Sequence, residues 1–179
     1  MGEARIANPR HRLWSLNPYY RVISANTPFS KNNGINTIFL TKFEKTFLPM
    51  KHIEVVAAII IQNNRILCVQ RGDNKHDYIA FKYEFPGGKV EVGETKEAAL
   101  IREIEEELRL KINIAVEFLT VNHTYPDFML TMHSFICTCE NPTVSLTEHI
   151  DFKWLEKHEL DNLDWAAADL PIVNKLVTT

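Results

Sequence analysis

The sequence contains little cysteine, no long hydrophobic run and no internal repeat. Three cysteines are too few for a secreted disulfide framework, and Cys137 and Cys139 lack further partners at the spacing of zinc ligands. Because unpaired cysteines are typical of a reducing compartment, the sequence predicts a cytoplasmic protein. No apolar stretch reaches the ~18 residues that a transmembrane helix needs, so we expect no membrane partner.

The net charge is only −3, and it is unevenly distributed. Residues 1–49 carry seven Lys or Arg against two Glu, whereas residues 50–179 carry thirteen against twenty-one Asp or Glu. An acidic body disfavours stable binding of nucleic acid. The length of 179 residues and the 45% hydrophobic content fit one domain with a sizeable core.

Residues 1–49 differ from the rest in pattern as well as in charge. Asn-Pro and Asn-Gly dipeptides interrupt every incipient helix or strand, so we expect a poorly structured extension. A transit peptide, a non-native segment and translation from an upstream start codon are all compatible with this composition. The patterned domain is therefore predicted at 50–179.

After Met50 the pattern predicts strands around a single long helix. The β-rich run IEVVAAIII, an Asn63-Asn64 turn and the alternating RILCVQR predict a hairpin. A polar loop at 72–82 and the strand YEF lead to Pro86-Gly87-Gly88, a turn that admits a phosphate or a metal close to bare backbone. A helix is predicted from Lys96 to Leu108, with Thr95 as its cap.

The second half predicts a long hairpin, then a strand and a terminal helix. The runs KINIAVEFLTVNHTY and FMLTMHSFICTC are joined at Pro126-Asp127, and FKWL precedes a helix from Ala166 to Leu176. His123 and His133 lie on opposite sides of the hairpin turn without a third ligand, so we interpret them as strand histidines. Strands that alternate with two helices predict an α+β fold in which a mixed sheet is covered on both faces.

The predicted helix 96–108 is unusually acidic on one face. Glu103, Glu106 and Glu107 stand at i, i+3 and i+4, so their carboxylates share that face, whereas Glu105 points away. Such a run on an amphipathic helix is often only a solvated face. Three crowded carboxylates also suit a hard cation such as Mg²⁺, which shares its shell with substrate phosphates.

The spacing favours the second interpretation. Residues 88–110 resemble the signature of the Nudix hydrolases, and we call this segment the Nudix box. Six of the seven fixed residues of the signature match, and so do both aliphatic positions; the matches are Gly88, Glu94, Arg102, Glu103, Glu106, Glu107, Ile104 and Leu110. Arg109 replaces a glycine that closes the helix in the family, so we expect a changed C-terminal cap and unchanged metal ligands.

The resemblance covers about residues 50–177 and implies an α/β/α sandwich with the two helices on opposite faces of a mixed sheet. The segments EVVAAII, EFPGGKVE and AADLPIV look most like the MutT-like nucleoside triphosphate pyrophosphohydrolases, which include sanitisers of oxidised nucleotides and CTP-directed enzymes. Proteins of this branch hydrolyse a nucleoside triphosphate to the monophosphate and pyrophosphate. A catalytically silent nucleotide-binding regulator and an enzyme for other diphosphates are the alternatives, and either a monomer or a homodimer is expected.

The resemblance also implies roles for single residues. Mg²⁺, with Mn²⁺ as an alternative, would be held by the three box glutamates and by the backbone oxygen of Gly87 or Gly88. Arg102 is expected to orient the box carboxylates, and Glu148 to act as the general base from a mobile loop.

Substrate contacts are expected from five residues: Arg71, Lys89, Tyr125, Phe128 and Asp169. Arg71 and Lys89 would contact the phosphates, although a solvated strand lysine is an equal alternative for Lys89. Tyr125 and Phe128 would provide apolar surface for the base. Asp169 is either a plain acid at a helix N-terminus or an acceptor at the base edge, which would favour 8-oxoguanine first and cytosine second.

Overall fold

The computed structural model describes residues 50–179, which form one compact unit. The expectation for residues 1–49 lies outside the described residues. Within the described part the strands are β1 (Lys51–Gln62), β2 (Arg65–Gln70), β3 (Tyr83–Glu84), β4 (Ile112–Thr124), β5 (Phe128–Cys139) and β6 (Asp151–Leu155). The helices are α1 (Lys96–Leu108), a 3₁₀ turn (Lys157–Asn162) and α2 (Leu170–Thr178). No helix of this part is long and apolar enough to cross a membrane.

The strands form a mixed sheet in the order β3-β2-β1-β5-β4, with β6 paired to β2. The predicted β1–β2 hairpin pairs only beside its Asn63-Asn64 turn, from Ile61 opposite Ile66. Beyond that point β1 runs parallel to β5 from Lys51 to Ile60. The β4–β5 hairpin forms as predicted, with two register shifts in β4.

The two helices cover opposite faces of the sheet, which confirms the α/β/α sandwich. Alternate side chains of β1 enter different cores because successive strand residues point to opposite faces. Ala58 and Ile60 pack with the apolar stripe of α1, which includes Leu100 and Ile104. Ile59 packs with α2 in the other core.

Local signals set both ends of α1. The Thr95 side chain accepts a hydrogen bond from the Ala98 N–H at 3.2 Å, as expected for an N-cap. At the other end Arg109 adopts the left-handed conformation (φ 55°), and its N–H donates to the Glu105 carbonyl. The expected change of cap is therefore wrong: the backbone keeps the shape that glycine would take, at a cost of about 1 kcal/mol for a side chain there.

The terminal helix begins at Leu170 and not at Ala166 as predicted. Two of the four residues before it donate their backbone N–H groups to distant parts of the chain, which prevents a helical ladder there. Ala166 donates to the Tyr83 carbonyl at 2.8 Å, and Ala168 donates to the Tyr125 hydroxyl at 3.2 Å. Pro171 then occupies the first turn of α2, where its missing N–H costs nothing.

Candidate active site

The turn before α1 brings the backbone into contact with the acidic face of the helix. A Cβ atom added at Gly88 would lie 2.2 Å from the Cδ atom of Glu103, and one added at Gly87 would lie 2.1 Å from the Val56 carbonyl oxygen. Gly87 also has a φ of +152°, which side chains rarely adopt. Gly87 therefore requires glycine, whereas a side chain at Gly88 would have to displace the Glu103 carboxylate, which lies against the turn.

Replacing Gly88 by alanine is expected to displace Glu103 and to lower kcat at least about tenfold, because a misplaced catalytic group loses on the order of a hundredfold in rate per ångström. Gly93, where an added Cβ would meet nothing within 4 Å, is the matched control, although its φ of +86° leaves a backbone penalty. The measurement is kcat beside the melting temperature for Gly88→Ala and Gly93→Ala. Equal loss of kcat in both variants would contradict the assigned contact.

Arg102 binds the carboxylates around it, as the sequence predicts. Its guanidinium donates to both oxygens of Glu94 at 2.9 Å, to Glu103 at 2.9 Å and to Glu106 at 3.4 Å. A further N–H reaches the Lys89 carbonyl at 3.1 Å. One guanidinium group thus binds three carboxylates and connects the helix to the preceding turn.

Glu107 is the buried member of the acidic face. The residue is 8% exposed, and its Oε2 atom has no hydrogen-bond partner among the described residues. Burial raises the pKa of Glu107 to about 7, and the neighbouring carboxylates of Glu84, Glu103 and Glu148 act in the same direction, against the opposing effect of His149. A buried carboxylate oxygen without a partner is costly, so this position calls for a cation or a proton.

The raised pKa of Glu107 predicts a pH-dependent stability of the metal-free protein. Between pH 4.5 and about pH 7 the unfolded chain gives up the Glu107 proton before the folded chain does, so stability falls as the pH rises. Above pH 7 the free energy of unfolding should be lower by about 3 kcal/mol than at pH 4.5 because of this residue. Glu107→Gln removes this dependence, and the free energy of unfolding in EDTA at pH 4.5 and 7.5 measures it. Parallel pH curves for both proteins would contradict the assignment.

The acidic face fits a divalent cation but does not form a finished cage. As placed, no group of three acidic, histidine or cysteine side chains between residues 50 and 179 is set closely enough to hold an ion. Arg102 draws Glu103 and Glu106 aside, whereas Glu107 keeps its unpartnered oxygen. The Gly88 carbonyl, expected as a ligand, already accepts from the Val56 N–H at 2.8 Å, whereas no described residue donates to the Gly87 carbonyl. Of the two carbonyls weighed from the sequence, Gly87 therefore fits better.

All predicted site residues line one open cleft of about 680 Å³. The lining includes the box residues and Glu148, which lies close enough to influence Glu107. It also includes the residues predicted for phosphate and base: Arg71, Lys89, Tyr125, Phe128 and Asp169. A second cleft of similar volume, lined by Arg65, Trp154 and Glu156 among others, contains no box residue.

Comparison with known proteins identifies the family. The sequence profile of the NUDIX domain family matches residues 55–175. The chain belongs to the NUDIX domain family.

Two curated relatives from Escherichia coli K12 support a narrower placement within the Nudix family. One, named CTP pyrophosphohydrolase, is 32% identical over 69% of this chain and 90% of its own length. The other, named 8-oxo-dGTP diphosphatase, is 30% identical over 71% of this chain and 98% of its own length. This Nudix protein is thus a hydrolase of the MutT-like branch, as the segments EVVAAII, EFPGGKVE and AADLPIV predict.

A solved structure agrees with this placement. The solution structure of a MutT protein of the Nudix hydrolase family from methicillin-resistant Staphylococcus aureus is 42% identical, with a TM-score of 0.59. It covers 72% of this chain and 98% of that protein.

Asp169 is a buried residue that lines the Nudix cleft. It is 2% exposed, and its Oδ1 atom accepts a hydrogen bond from the Phe85 N–H at 3.0 Å. It occupies the N-cap position of α2 but makes no side-chain capping bond there, and both interpretations of the residue stay predictions. Burial, together with the carboxylate of Glu84, raises the pKa of Asp169 well above its usual range. The premise that it can only accept hydrogen bonds therefore holds for the ionised form alone.

The aromatic residues of the cleft differ in how they can serve a ligand. Tyr125 is 7% exposed, its hydroxyl is bound by Ala168, and its ring stacks on Tyr78 with centroids 5.1 Å apart. Tyr125 is therefore a buried part of the wall, and Phe128, half-buried and 5.0 Å from Tyr125, offers the more accessible surface.

The loop 72–82 contributes residues that the sequence interpretation missed. Tyr78 donates to Asp127 at 3.0 Å, and His76 Nδ1 lies 3.1 Å from the same carboxylate. These contacts tie the loop to the β4–β5 turn beside the cleft. No local signal could have predicted these contacts, because Tyr78 and Asp127 are 49 positions apart in the chain.

Proposed function

We propose that this Nudix hydrolase cleaves nucleoside triphosphates to monophosphates and pyrophosphate with Mg²⁺, or alternatively Mn²⁺, and removes oxidised nucleotides of the 8-oxo-dGTP type. The observation that carries the proposal is one cleft lined both by the box carboxylates and by the buried Asp169. A nucleoside triphosphate would use both features, because a cation held by the carboxylates would neutralise its phosphates and Asp169 can hydrogen-bond to the edge of its base. The names of the E. coli relatives agree with such a substrate.

The box residues have roles that follow from their contacts. Glu103, Glu106, Glu107 and the Gly87 carbonyl would hold the ion, with Gly88 providing the space for Glu103. A bound Mg²⁺ neutralises phosphate oxygens and makes an attached water more acidic. Arg102 keeps the carboxylates oriented when no ion is bound, since it bonds to two of them directly.

Proton transfer and phosphate binding fall to residues across the cleft. Glu148 is exposed at the cleft and lies near Glu107, which suits a general base that meets the attacking water from solvent. Lys89 is exposed and lines the cleft, so its ammonium group can approach the phosphates. Arg71 lines the same wall and supplies a second cation there.

Base recognition is assigned to Asp169 with the apolar wall of Phe128. When ionised, Asp169 accepts from the N7–H of 8-oxoguanine, a donor that guanine lacks. The exocyclic amine of cytosine is a second donor of this kind, and the CTP-directed relative from E. coli makes CTP or dCTP the second candidate.

The ratio of kcat/KM for 8-oxo-dGTP and dGTP tests this substrate. We expect about a 10- to 100-fold preference for 8-oxo-dGTP, the size of one hydrogen bond to a charged group. CTP and dCTP belong in the same panel. Faster turnover of the cytosine nucleotides than of 8-oxo-dGTP would shift the proposal to the second candidate.

The setting of the enzyme follows from the same reasoning. We propose a cytoplasmic enzyme that supports DNA repair by clearing the nucleotide pool, active as a monomer or a homodimer. The domain at 50–179 contains all the proposed site residues, and residues 1–49 are proposed to take no part in the chemistry.

A further inference from the structure

Two buried polar side chains at the cleft have no role so far: Glu84, which lines the cleft, and His149, which binds Glu84. Glu84 on β3 is 9% exposed, and its two oxygens bind different partners. Oε2 accepts from Arg71 Nε at 2.5 Å, and Oε1 lies 3.0 Å from His149 Nε2. The carboxylate thus joins a proposed phosphate-binding arginine to the residue that follows the proposed general base.

The His149 side chain is buried and makes one hydrogen bond within the described part of the chain. Its side chain is 5% exposed, and its Nδ1 atom has no partner among the described residues. Because a carboxylate only accepts, the bond to Glu84 requires the proton on Nε2, which leaves Nδ1 as a bare acceptor in the neutral ring.

The loop around His149 is fixed on both sides but not at its centre. Thr147 donates from its backbone N–H to the Glu107 carbonyl at 3.0 Å, at the end of α1. Ile150 donates to the Gln70 carbonyl at 3.0 Å, where β6 joins β2. Between these anchors Glu148 is exposed, and His149 provides the inward bond that holds this part of the loop to the wall.

We propose that His149 is a positioning residue that acts through Glu84: its hydrogen bond fixes the carboxylate that orients Arg71 and holds Glu148 at the cleft. The inference rests on the proposed function, because it concerns the same site. Loss of His149 should therefore affect both binding, through Arg71, and turnover, through Glu148, while the box ligands stay unchanged.

His149→Leu is expected to lower kcat/KM about 10- to 100-fold, the effect of one hydrogen bond to a charged group. His149→Gln, which keeps an N–H donor at similar reach, should recover most of this loss. His133 provides the matched control, since it is also buried and its Nε2 also binds a carboxylate, Glu54, at 2.9 Å, but it does not line the cleft. His133→Leu should lower the melting temperature and leave kcat/KM within about twofold.

A double-mutant cycle tests whether His149 acts through Glu84. The side chain of Glu84→Met has similar length but no acceptor oxygen, so it binds neither Arg71 nor His149. Adding His149→Leu to Glu84→Met should therefore lower kcat/KM by less than about a further threefold, because the shared interaction is already lost. The proposal would be overturned if the losses of kcat/KM in the two single variants multiplied fully in the double variant. It would also be overturned if His149→Leu, like His133→Leu, left kcat/KM within about twofold.

Proton NMR of the imidazole groups separates this proposal from the proposed function. The wild type should show a resonance of the His149 Nε2–H that is protected from exchange with solvent. Its absence from the spectrum of His149→Gln assigns this resonance, and Glu84→Gln should change its chemical shift. Manganese affinity, measured by electron paramagnetic resonance, should stay within about threefold in His149→Leu. If the wild type hydrolyses no triphosphate but shows this resonance, the proposed function fails and the link between His149 and Glu84 stands. Absence of the resonance from an active enzyme overturns the link alone.

Discussion

Glu106→Gln is expected to lower kcat by about a thousandfold or more, because an ion at the box supplies several kcal/mol of transition-state stabilisation. The fold should not suffer. The Glu106 side chain is 61% exposed, and among residues 50–179 its only hydrogen bond is the 3.4 Å contact with Arg102. Since the change also removes one of the crowded like charges, the melting temperature without metal should stay the same or rise.

Glu105→Gln is the matched control for this prediction. Glu105 is an exposed glutamate on the same helix and does not line the cleft. Its replacement should leave kcat within about twofold, as is usual for surface changes away from a site. Steady-state kinetics with Mg²⁺ and thermal unfolding in EDTA measure both effects. A Glu106→Gln enzyme with near wild-type turnover would remove the acidic face from the chemistry.

Asp169→Ala is expected to abolish the preference for 8-oxo-dGTP over dGTP while kcat for dGTP falls less than about tenfold, because the proposed phosphate contacts come from other residues, Arg71 and Lys89. The variant also leaves the Phe85 N–H without an acceptor, which should destabilise the fold by about 1–3 kcal/mol. The measurement is the ratio of kcat/KM for the two nucleotides. If the variant still discriminates as well as the parent, base recognition lies elsewhere, most simply with Phe128 and Tyr125.

Asp169→Asn separates the two protonation states of this residue. The Phe85 N–H needs an acceptor, so the amide oxygen should occupy the Oδ1 position and the amide nitrogen should face the cleft as a donor. An ionised Asp169 that accepts from N7–H would then be replaced by a donor, and the preference for 8-oxo-dGTP would be lost. A preserved preference would show that the neutral acid, whose pKa is raised by burial, reads the base as a donor.

The sequence allowed the helix of the Nudix box to be predicted to the residue, because its determinants are local. Thr95 caps it, the apolar stripe has helical spacing, and the observed bounds are Lys96–Leu108. The parallel pairing of β1 with β5 was not predictable in this way, since Lys51 and Phe128 are brought together by topology and not by any neighbouring signal. The start of α2 was misplaced for a similar reason, because distant partners hold Ala166 and Ala168.

In the candidate site, too, local features were predictable and features that depend on distant elements were not. Its carboxylates were found from spacing because Glu103, Glu106 and Glu107 lie on one helix. The environment of those residues was not found: the burial of Glu107 and the bond of Glu84 to His149 depend on elements far apart in the chain. Spacing therefore predicted which carboxylates belong to the candidate site, and the fold determines their burial and their hydrogen bonds.

Hydrolysis of 8-oxo-dGTP in ¹⁸O-labelled water, followed by ³¹P NMR, tests the central claim most directly. A water activated at the Nudix box and attacking the β-phosphorus, as in MutT-like enzymes, should give 8-oxo-dGMP without label and pyrophosphate with one labelled oxygen. Formation of inorganic phosphate as the first product, or no hydrolysis with Mg²⁺ or Mn²⁺ of any nucleotide in the panel, would contradict a pyrophosphohydrolase. Label in the monophosphate would keep the activity and move the attack to the α-phosphorus.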